Sequence, residues 1–335
     1  MFGGAVMSEA EPLVSVVVPL HNGASTIERT LDSICRQTWE NLEVIVVDDG
    51  STDSGPALVE QRAVDDPRVT LVRQANAGVA AARNHGARVA KANFLAFIDA
   101  DDLWGPEKIA AQMEVMERRG SRTGLVYTWA ALIDENDRIY SLEHRPKEEG
   151  DVFRALCRAN IVGNGSSPLV RREAFEKIGG YSAHLREAGA QGCEDLYIYL
   201  CVAEHYEFGL VPRHLTGYRV TAGNMSSDAL RMLRSCELTL SEFRPRYPQY
   251  EPEFEAHRTD MIYWLLVRAL TTGPLSNAGP LLVQDPKVAG RLLGRLGGIF
   301  WLMVKAHSPA WVKVPLRRVT KQGREFRPLF SEAAA

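Results

Sequence analysis

The sequence contains few cysteines and no CxxC pair. The five cysteines are Cys35, Cys157, Cys193, Cys201 and Cys236. An odd number of widely spaced cysteines in a chain of 335 residues favours reduced thiols over a disulfide framework. We therefore expect a protein of the cytoplasm.

Long hydrophobic runs and a strong charge excess are also missing. No apolar run approaches the ~18 residues that a membrane-spanning helix requires. The N-terminal segment MFGGAVMSEAEP has no basic region and no long apolar core, so we expect no secretory signal and a flexible stretch over residues 1–12. A net charge of −3 gives no general attraction to nucleic acid, which we exclude as a partner.

Three carboxylates lie within four residues, at Asp99, Asp101 and Asp102, directly after the apolar run Phe94–Ile98. The run is short and bounded, so it predicts a buried strand, and open α/β sheets bind ligands at the carboxyl ends of such strands. Charges this close repel one another unless a cation neutralises them. A divalent cation bridging carboxylate to phosphate is one interpretation. The alternative is a solvated acidic turn.

Two earlier segments follow the same pattern. Leu42–Val47 is apolar and β-branched and leads into Asp48 and Asp49, and Val14–Val18 leads into the polar segment PLHNG. Helical segments separate these strands. The alternation predicts an α/β fold with a parallel sheet and a site along one edge of that sheet.

The rest of the chain predicts further elements. Helices are predicted over Ser25–Thr38, Val79–Ala90, Glu107–Gly120, Glu173–Ile178 and Asp195–Glu204, and strands over Val69–Arg73, Leu125–Ile133, Pro168–Val170, Phe208–Val211 and Leu215–Val220. From about 140 to 165 the pattern loosens and becomes polar. Beyond about residue 225 the spacing is helical, near 228–243, 254–272 and 287–306, which predicts a C-terminal helical extension.

Several motifs together carry a resemblance to a known family. The segments VSVVVPLHN, LEVIVVDDGSTD, NAGVAAARNHG and FLAFIDADDLW resemble the N-terminal half of a family 2 glycosyltransferase with the GT-A fold, and Gly192–Asp195 resembles that family's later ED motif. The resemblance covers roughly residues 13–221. It implies a GT-A-type nucleotide-sugar-binding fold, in which helices flank a mostly parallel central sheet. The expected units are a donor-binding half (13–135), an acceptor-binding half (136–225) and a basic helical extension (226–335).

The resemblance implies a donor site for a nucleotide diphosphate sugar, with a UDP-sugar expected. Pro19 and His21 would line the base site, where His21 replaces the aromatic Tyr that the family often has. Asp48 and Asp49 would bind the base. Arg83 would meet the base or the diphosphate, and the alternative is an arginine on a helix surface.

The same resemblance assigns the acidic loop to a metal site. Asp101 would coordinate Mn²⁺ or Mg²⁺, as the DxD-type motif of the family does. Asp99 would lie near the ribose and the metal, and Asp102 would hold the loop or support the metal shell. Trp104, just after the loop, would stack on an acceptor sugar, unless it is a buried core residue.

The ED motif supplies the expected general base. Family members of this type place the base at the Asp of ED and invert the anomeric centre by direct displacement. Asp195 is therefore the expected base and Glu194 the second choice. The alternative is an acidic pair that the helix dipole stabilises at a helix N-terminus.

One position departs from the family pattern. The family often has a His two residues after the Arg of YR, whereas Arg219 is followed by Thr221. A hydroxyl is a poor metal ligand compared with imidazole. Either the metal has fewer protein ligands, or Arg219 neutralises the diphosphate. The QxxRW signature of processive synthases is missing, which favours the addition of a single sugar.

The C-terminal segment is strongly basic. From Lys287 to the end, ten basic residues stand against Glu325 and Glu332, an excess of eight positive charges. The segment also contains the apolar run IFWLMV and Trp311. These features suit peripheral contact of residues 287–335 with the anionic inner face of a membrane. The alternative is a helical pack with a solvated basic face.

Three functions are compatible with the sequence. The first is an inverting, metal-dependent glycosyltransferase that acts on a glycan or a lipid-linked precursor of a cell-surface polysaccharide. The second is a nucleotidyltransferase, which would require a basic, Gly-rich phosphate loop, but PLHNGAST contains no Lys or Arg. The third is a catalytically silent sugar-nucleotide-binding protein, which loss of Asp101 or Asp195 would indicate, and both are present.

Overall fold

Strands and helices alternate in the first part of the chain. The computed structural model describes residues 11–142, 145–220, 228–271, 275–285 and 288. The first elements are β1 (Val14–Leu20), α1 (Ile27–Cys35), β2 (Leu42–Asp49), α2 (Gly55–Asp65), β3 (Val69–Gln74), α3 (Val79–Val89), β4 (Phe94–Phe97), β5 (Leu103–Trp104) and α4 (Lys108–Arg119). The predicted alternation is confirmed, with small shifts at the ends of the elements.

The second part contains longer strands and more helices. Its elements are β6 (Thr123–Ile133), β7 (Ile139–Ser141), α5 (Phe153–Arg158), β8 (Leu169–Arg171), α6 (Arg172–Lys177), α7 (His184–Glu187), α8 (Glu194–Ala203), β9 (Glu207–Arg219), α9 (Ala229–Phe243), α10 (Glu251–Thr271) and α11 (Ala278–Leu282). The helix predicted near 287–306 falls, apart from residue 288, outside the described residues.

One prediction about these elements was wrong. The segments Phe208–Val211 and Leu215–Val220 are not separate strands but parts of the single strand β9. The exposed residues Pro212 and Arg213 interrupt the apolar pattern between them. The pairing of β9 with β6 shifts register at this point, so a bulge absorbs the extra residues and the chain stays extended.

Within the described residues, nine strands form a single sheet in the order β3-β2-β1-β4-β8-β6-β9-β5, with β7 paired to β6. The strands from β3 to β4 are parallel, and Val14 lies opposite both Leu42 and Phe94. Strand β8 is antiparallel to β4 and β6, whereas β6 and β9 are parallel. The segments that leave β1, β2 and β4 therefore meet at one edge of the sheet, as predicted for an α/β fold.

Both faces of the parallel strands are buried, which explains their continuous apolar runs. On one face, Val16 and Val18 pack with residues of α1 and α4. On the other face, Val17 packs in the same cluster as Ala80 and Ala82 of α3. Helix α3 approaches β1 closely at Gly86, where an added Cβ would overlap Val17 Cγ1.

The C-terminal helices share the core of the second part of the sheet. Phe243 of α9 and Phe254 of α10 belong to the same buried cluster as Phe153 of α5. None of the helices in the described ranges combines the length and apolar character that crossing a membrane requires. The packing brings α10 beside the edge of the sheet where the parallel strands end.

Candidate active site

One cavity of about 1480 Å³ opens at this edge of the sheet. It collects most of the predicted site residues, namely Pro19, His21, Asp49, Arg83, Asp99, Asp101, Glu194, Asp195 and Arg219. Asp48 and Trp104 are not among its lining residues. The volume exceeds the roughly 300–1,000 Å³ of pockets that hold one small ligand, so the cavity has room for two ligands.

Buried hydrogen bonds hold the acidic loop in place. Ser166 Oγ donates to Asp102 Oδ2 at 2.5 Å and accepts from the backbone N–H of Asp99 at 2.9 Å. Thr30 Oγ1 lies 2.9 Å from the carbonyl oxygen of Asp102. Burial, together with the charges of its acidic neighbours, raises the pKa of Asp102 well above its usual range. Asp102 therefore holds the loop, while Asp99 and Asp101 line the cavity.

Asp99 and Asp101 have the chemistry of a small divalent-cation site. Burial, and then the negative charge of Asp99, raises the pKa of Asp101 to about 6. Within the described ranges no group of three or more acidic, His or Cys side chains could hold a metal. A Mg²⁺-type ion commonly uses only one or two carboxylates and completes its shell with phosphate and water, so two carboxylates fit it. Thr221, at the family's His position, lies outside the described residues.

Arg83 is the buried cation of the cavity wall. Its side chain is 5% exposed, pairs with Asp99 and lies 5.1 Å from the centre of the Tyr181 ring. The alternative of an arginine on a helix surface is therefore wrong. Among the described residues, its buried Nε finds no hydrogen-bond partner. An unpaired buried donor is costly, and an anionic ligand in the cavity would satisfy it.

Asp49, at the end of β2, lines the cavity and is held by several hydrogen bonds. Its carboxylate accepts hydrogen bonds of 2.7 Å from the backbone N–H groups of Ala77 and Gly78 and from Gln74 Nε2. His21 Nδ1 lies 3.0 Å from the carbonyl oxygen of Asp49, which fixes the imidazole beside it. A carboxylate has about four acceptor positions, so Asp49 retains capacity for an N–H group of a ligand.

Asp48 does not belong to this site, which corrects the prediction that it binds the base. Successive side chains of a strand point to opposite faces, so Asp48 and Asp49 diverge at the end of β2. The Asp48 carboxylate accepts from the backbone N–H of Ser51 at 2.8 Å and lies 3.9 Å from Arg73 Nε. It therefore stabilises the turn after β2 and does not line the cavity.

The ED pair begins helix α8, and its two members differ. Asp195 lines the cavity and accepts from the backbone N–H of Leu196 at 2.7 Å and from Asn160 Nδ2 at 3.3 Å. Burial raises the pKa of Asp195 to about 6. Glu194, only 5% exposed, accepts from the backbone N–H of Gly192 at 2.8 Å. A carboxylate whose pKa lies near the working pH is an effective proton acceptor, which distinguishes Asp195.

Trp104 is a core residue, so the predicted contact with an acceptor sugar is wrong. The side chain is 3% exposed, and its indole Nε1 donates to the carbonyl oxygen of Ser166 at 2.8 Å. Lys108 Nζ lies 4.0 Å from the centre of its ring. Both ring and N–H group are thus occupied by the protein, which leaves no surface for a sugar.

Arg219 braces the acidic loop and also lines the cavity. Its guanidinium donates to the carbonyl oxygen of Asp101 at 2.6 Å, to that of Asp134 at 2.5 Å and to Asp137 Oδ1 at 2.5 Å. The side chain is only 2% exposed. Arg219 therefore joins the loop after β4 to the turn between β6 and β7.

Two groups of residues that line or support the cavity were not predicted from the sequence. Asn160 and Ser166 act through side-chain hydrogen bonds to Asp195 and Asp102. The only signal for them was the loosened, polar pattern before residue 165. Tyr140 and Trp264 line the cavity from β7 and α10. Their sequence neighbourhoods contain no motif, so only packing reveals them.

Comparisons with known proteins place the first half of the chain near one family. The profile of the family described as Glycosyl transferase family 2 matches residues 15–179. YibD of Escherichia coli, an uncharacterized glycosyltransferase, is 43% identical over 89 residues, which cover 27% of this chain and 26% of YibD. An uncharacterized glycosyltransferase of Haemophilus influenzae is 30% identical over 174 residues, which cover 52% of this chain and 58% of that protein. The chain thus spans about half the length, or less, of these curated relatives.

Solved structures are similar in fold. The mannosyltransferase PcManGT from Pyrobaculum calidifontis, in complex with GDP-Man and Mn²⁺, superposes with a TM-score of 0.56 at 22% identity and covers 88% of this chain and 87% of that chain. TarS 1-349 of S. aureus superposes with a TM-score of 0.58 at 16% identity and covers 94% of this chain and 98% of that chain. The predicted GT-A-type fold is confirmed.

Proposed function

Since the segment spanning residues 15–179 belongs to glycosyl transferase family 2, we propose that this chain transfers a sugar from a nucleotide diphosphate sugar to a hydroxyl of a glycan or lipid-linked acceptor. One observation carries the proposal: the acidic loop and the ED pair, which lie far apart in sequence, line the same cavity. The side chains that would activate the donor and those that would remove the proton therefore lie in one site. The proposed donor is a UDP-sugar.

The donor would lie along the edge of the parallel strands. Pro19, His21 and Asp49 line the part of the cavity that the ends of β1 and β2 form, and they would hold the base. Arg83 would lie near the diphosphate, where its buried, positively charged guanidinium has an unpaired Nε. TarS 1-349 has been solved with UDP-GlcNAc and PcManGT with GDP-Man, which supports a nucleotide sugar as ligand without choosing the base.

Asp101, with Asp99, would hold the divalent cation, Mn²⁺ or Mg²⁺. When bound, such an ion acts as a Lewis acid that stabilises the negative charge of the leaving diphosphate. Asp102, Ser166 and Arg219 would not touch the ion. Their part is to keep the loop in one conformation, so that Asp99 and Asp101 are preorganised before the donor arrives.

Asp195 would act as general base in a direct displacement. The acceptor hydroxyl oxygen forms the new bond to the anomeric carbon, the bond from that carbon to the diphosphate oxygen breaks, and the hydroxyl proton moves to the Asp195 carboxylate. The configuration at the anomeric carbon is inverted in such a step. Asn160 Nδ2, 3.3 Å from Asp195 Oδ2, would orient the carboxylate.

The basic C-terminal segment suggests where the protein acts in the cell. We infer a cytoplasmic protein whose residues 287–335, which lie almost entirely outside the described residues, contact the anionic inner face of a membrane. Each basic residue near such a surface contributes about 1 kcal/mol, so several together would hold the protein reversibly. Vesicles with anionic lipid should bind the full chain less strongly as salt increases, and a chain ending near Pro286 should not bind. Equal sedimentation of both proteins with the vesicles would contradict membrane contact.

The proposed function is tested with purified protein and a panel of UDP-, GDP- and dTDP-sugars. We expect one of them to raise the melting temperature in the presence of Mn²⁺ and to be hydrolysed slowly without acceptor. Asp101→Ala should abolish both effects, whereas Asp65→Ala, at an exposed carboxylate in the last turn of α2, should change neither. If no nucleotide sugar shifts the melting temperature, the proposal is wrong.

A further inference from the structure

One face of helix α10 lines the cavity. Its members recur at three- and four-residue intervals, as one side of a helix does, and they are His257, Asp260, Met261, Trp264, Val267 and Arg268. We name these six residues the α10 face. The other side of the helix is buried in the apolar cluster with α9 and α11, through Ile262, Leu265, Leu266 and Ala269. Helix α10 therefore presents one side to its neighbours and the other to the cavity.

Trp264 is the aromatic centre of the α10 face. It is 44% exposed, whereas the other aromatic residues of the helix, Phe254 and Tyr263, are buried and half-buried. The guanidinium of Arg268 lies 5.5 Å from the centre of the indole. An exposed Trp inside a cavity offers a flat apolar surface with polar groups at its edge, which is the arrangement that binds amphipathic ligands.

Two tyrosines extend this surface. Tyr140, which is 54% exposed, and Tyr218 both line the cavity. Burial raises the pKa of each phenol, and the positive charge of Arg268 opposes that rise. Arg268 lines the same cavity as both tyrosines. Tyr218 precedes Arg219, which donates to the carbonyl oxygen of Asp101, so the aromatic surface continues towards the acidic loop.

The α10 face is joined to the general base through helix α5. Asp260 Oδ2 pairs with Arg158 Nη1 at 2.6 Å, and His257 Nδ1 lies 3.3 Å from the carbonyl oxygen of Cys157. Asn160, two residues after Arg158, donates to Asp195. A ligand that rests on the α10 face is thus on the same side of the cavity as the proposed proton acceptor.

We propose that the α10 face is the acceptor subsite and that it takes a saccharide, one ring of which stacks on the Trp264 indole with a hydroxyl directed to Asp195. This inference rests on the proposed function and replaces the role that the sequence assigned to Trp104. A saccharide fits because an aromatic plane meets the C–H face of a sugar ring, while Asp260 and Arg268 offer partners for its hydroxyls. A lipid tail would match a continuous apolar wall instead.

The test is saturation-transfer NMR on the full chain with UDP or GDP present. The probes are methyl glycosides of glucose, galactose, mannose, N-acetylglucosamine and rhamnose. We expect at least one glycoside to bind, and Trp264→Ala to weaken it at least about tenfold, the factor that corresponds to ~1.4 kcal/mol. Trp264→Phe, which keeps a ring, should restore part of the affinity. Val64→Ala, at an exposed site on α2, should have no effect.

Nucleotide affinity separates this inference from the proposed function. The inference holds if Trp264→Ala loses the glycoside but binds UDP or GDP as the unaltered chain does. It is overturned if Trp264→Ala binds the glycoside equally well, or if no glycoside binds while the nucleotide does. If neither nucleotide binds the unaltered chain, the proposed function fails and this inference with it. Should Trp264→Ala unfold, Trp264→Phe and Tyr140→Ala replace it: each should bind the glycoside more weakly than the unaltered chain and bind the nucleotide equally well, and equal glycoside affinity in both would overturn the inference.

Discussion

Replacing Asp195 by Asn tests the proposed base while keeping the shape of the side chain. The amide oxygen of Asn can accept the hydrogen bond of 2.7 Å from the backbone N–H of Leu196, but the amide cannot take up a proton. We expect donor affinity to stay near that of the unaltered chain. Sugar transfer should fall about 10²–10⁴-fold, which is the usual contribution of general acid–base catalysis.

The pKa of Asp195 predicts the pH dependence. Burial raises this pKa to about 6, so the carboxylate is ionised at pH 8 and largely protonated at pH 5. Only the ionised form accepts a proton. The rate with saturating donor should therefore be level above pH 7 and fall as the pH decreases through 6, to about a tenth of its maximum at pH 5, one pKa unit below the midpoint.

The assay measures transfer, or hydrolysis with water as acceptor, between pH 5 and 8 in the unaltered chain, Asp195→Asn and Glu194→Gln. Donor affinity at each pH separates the effect of Asp195 from that of Asp101, whose pKa is also raised to about 6. The residual activity of Asp195→Asn should lose the inflection near pH 6. If Glu194→Gln is the more damaging change, the base is misassigned, and if neither change matters, the pair is structural.

Three other predictions concern the acidic loop, Asp195 and the core. Asp101→Ala should lower turnover at least about 10²-fold, the scale of one preorganised electrostatic partner, and full activity in EDTA would contradict its role. Asp195→Asn should raise the melting temperature at pH 8, because a pKa of about 6 in place of 3.8 represents up to about 3 kcal/mol against the folded, ionised form. That difference should shrink as the pH falls through 6, because the folded chain then takes up the proton; an advantage independent of pH would refute the reasoning. Gly86→Ala should destabilise by about 1–3 kcal/mol through overlap with Val17, whereas Gly279→Ala, with open space around it, should not, and chemical denaturation compares the two.

The fold of the first part could be predicted because its strands are buried on both faces. Apolar runs such as Val14–Val18 and Leu42–Val47 need no long-range information to be recognised, and the acidic residues after them mark the sheet edge. Strand β9 was divided in the prediction because Pro212 and Arg213 have the composition of a turn. Only the neighbouring strand β6 decides that they form a bulge instead.

The candidate site could be predicted where the chemistry is local and not where it depends on packing. Asp99 and Asp101 lie in one short loop, so their sequence spacing already brings them together. The direction of Asp48 depends on the register of β2, and the surroundings of Trp104 depend on Ser166, 62 residues away. Trp264 was missed because a helical stripe has the same pattern whether it faces a core or a cavity.

The most direct test of the account is calorimetric titration of the purified chain with a UDP-sugar and a GDP-sugar in the presence of Mn²⁺. We expect one of the two nucleotide sugars to bind, with one molecule per chain. Asp101→Ala should lose this binding, and Asp195→Asn should retain it. If neither nucleotide sugar binds, or if Asp101→Ala binds with the affinity of the unaltered chain, the assignment of this cavity as a glycosyl-donor site is contradicted.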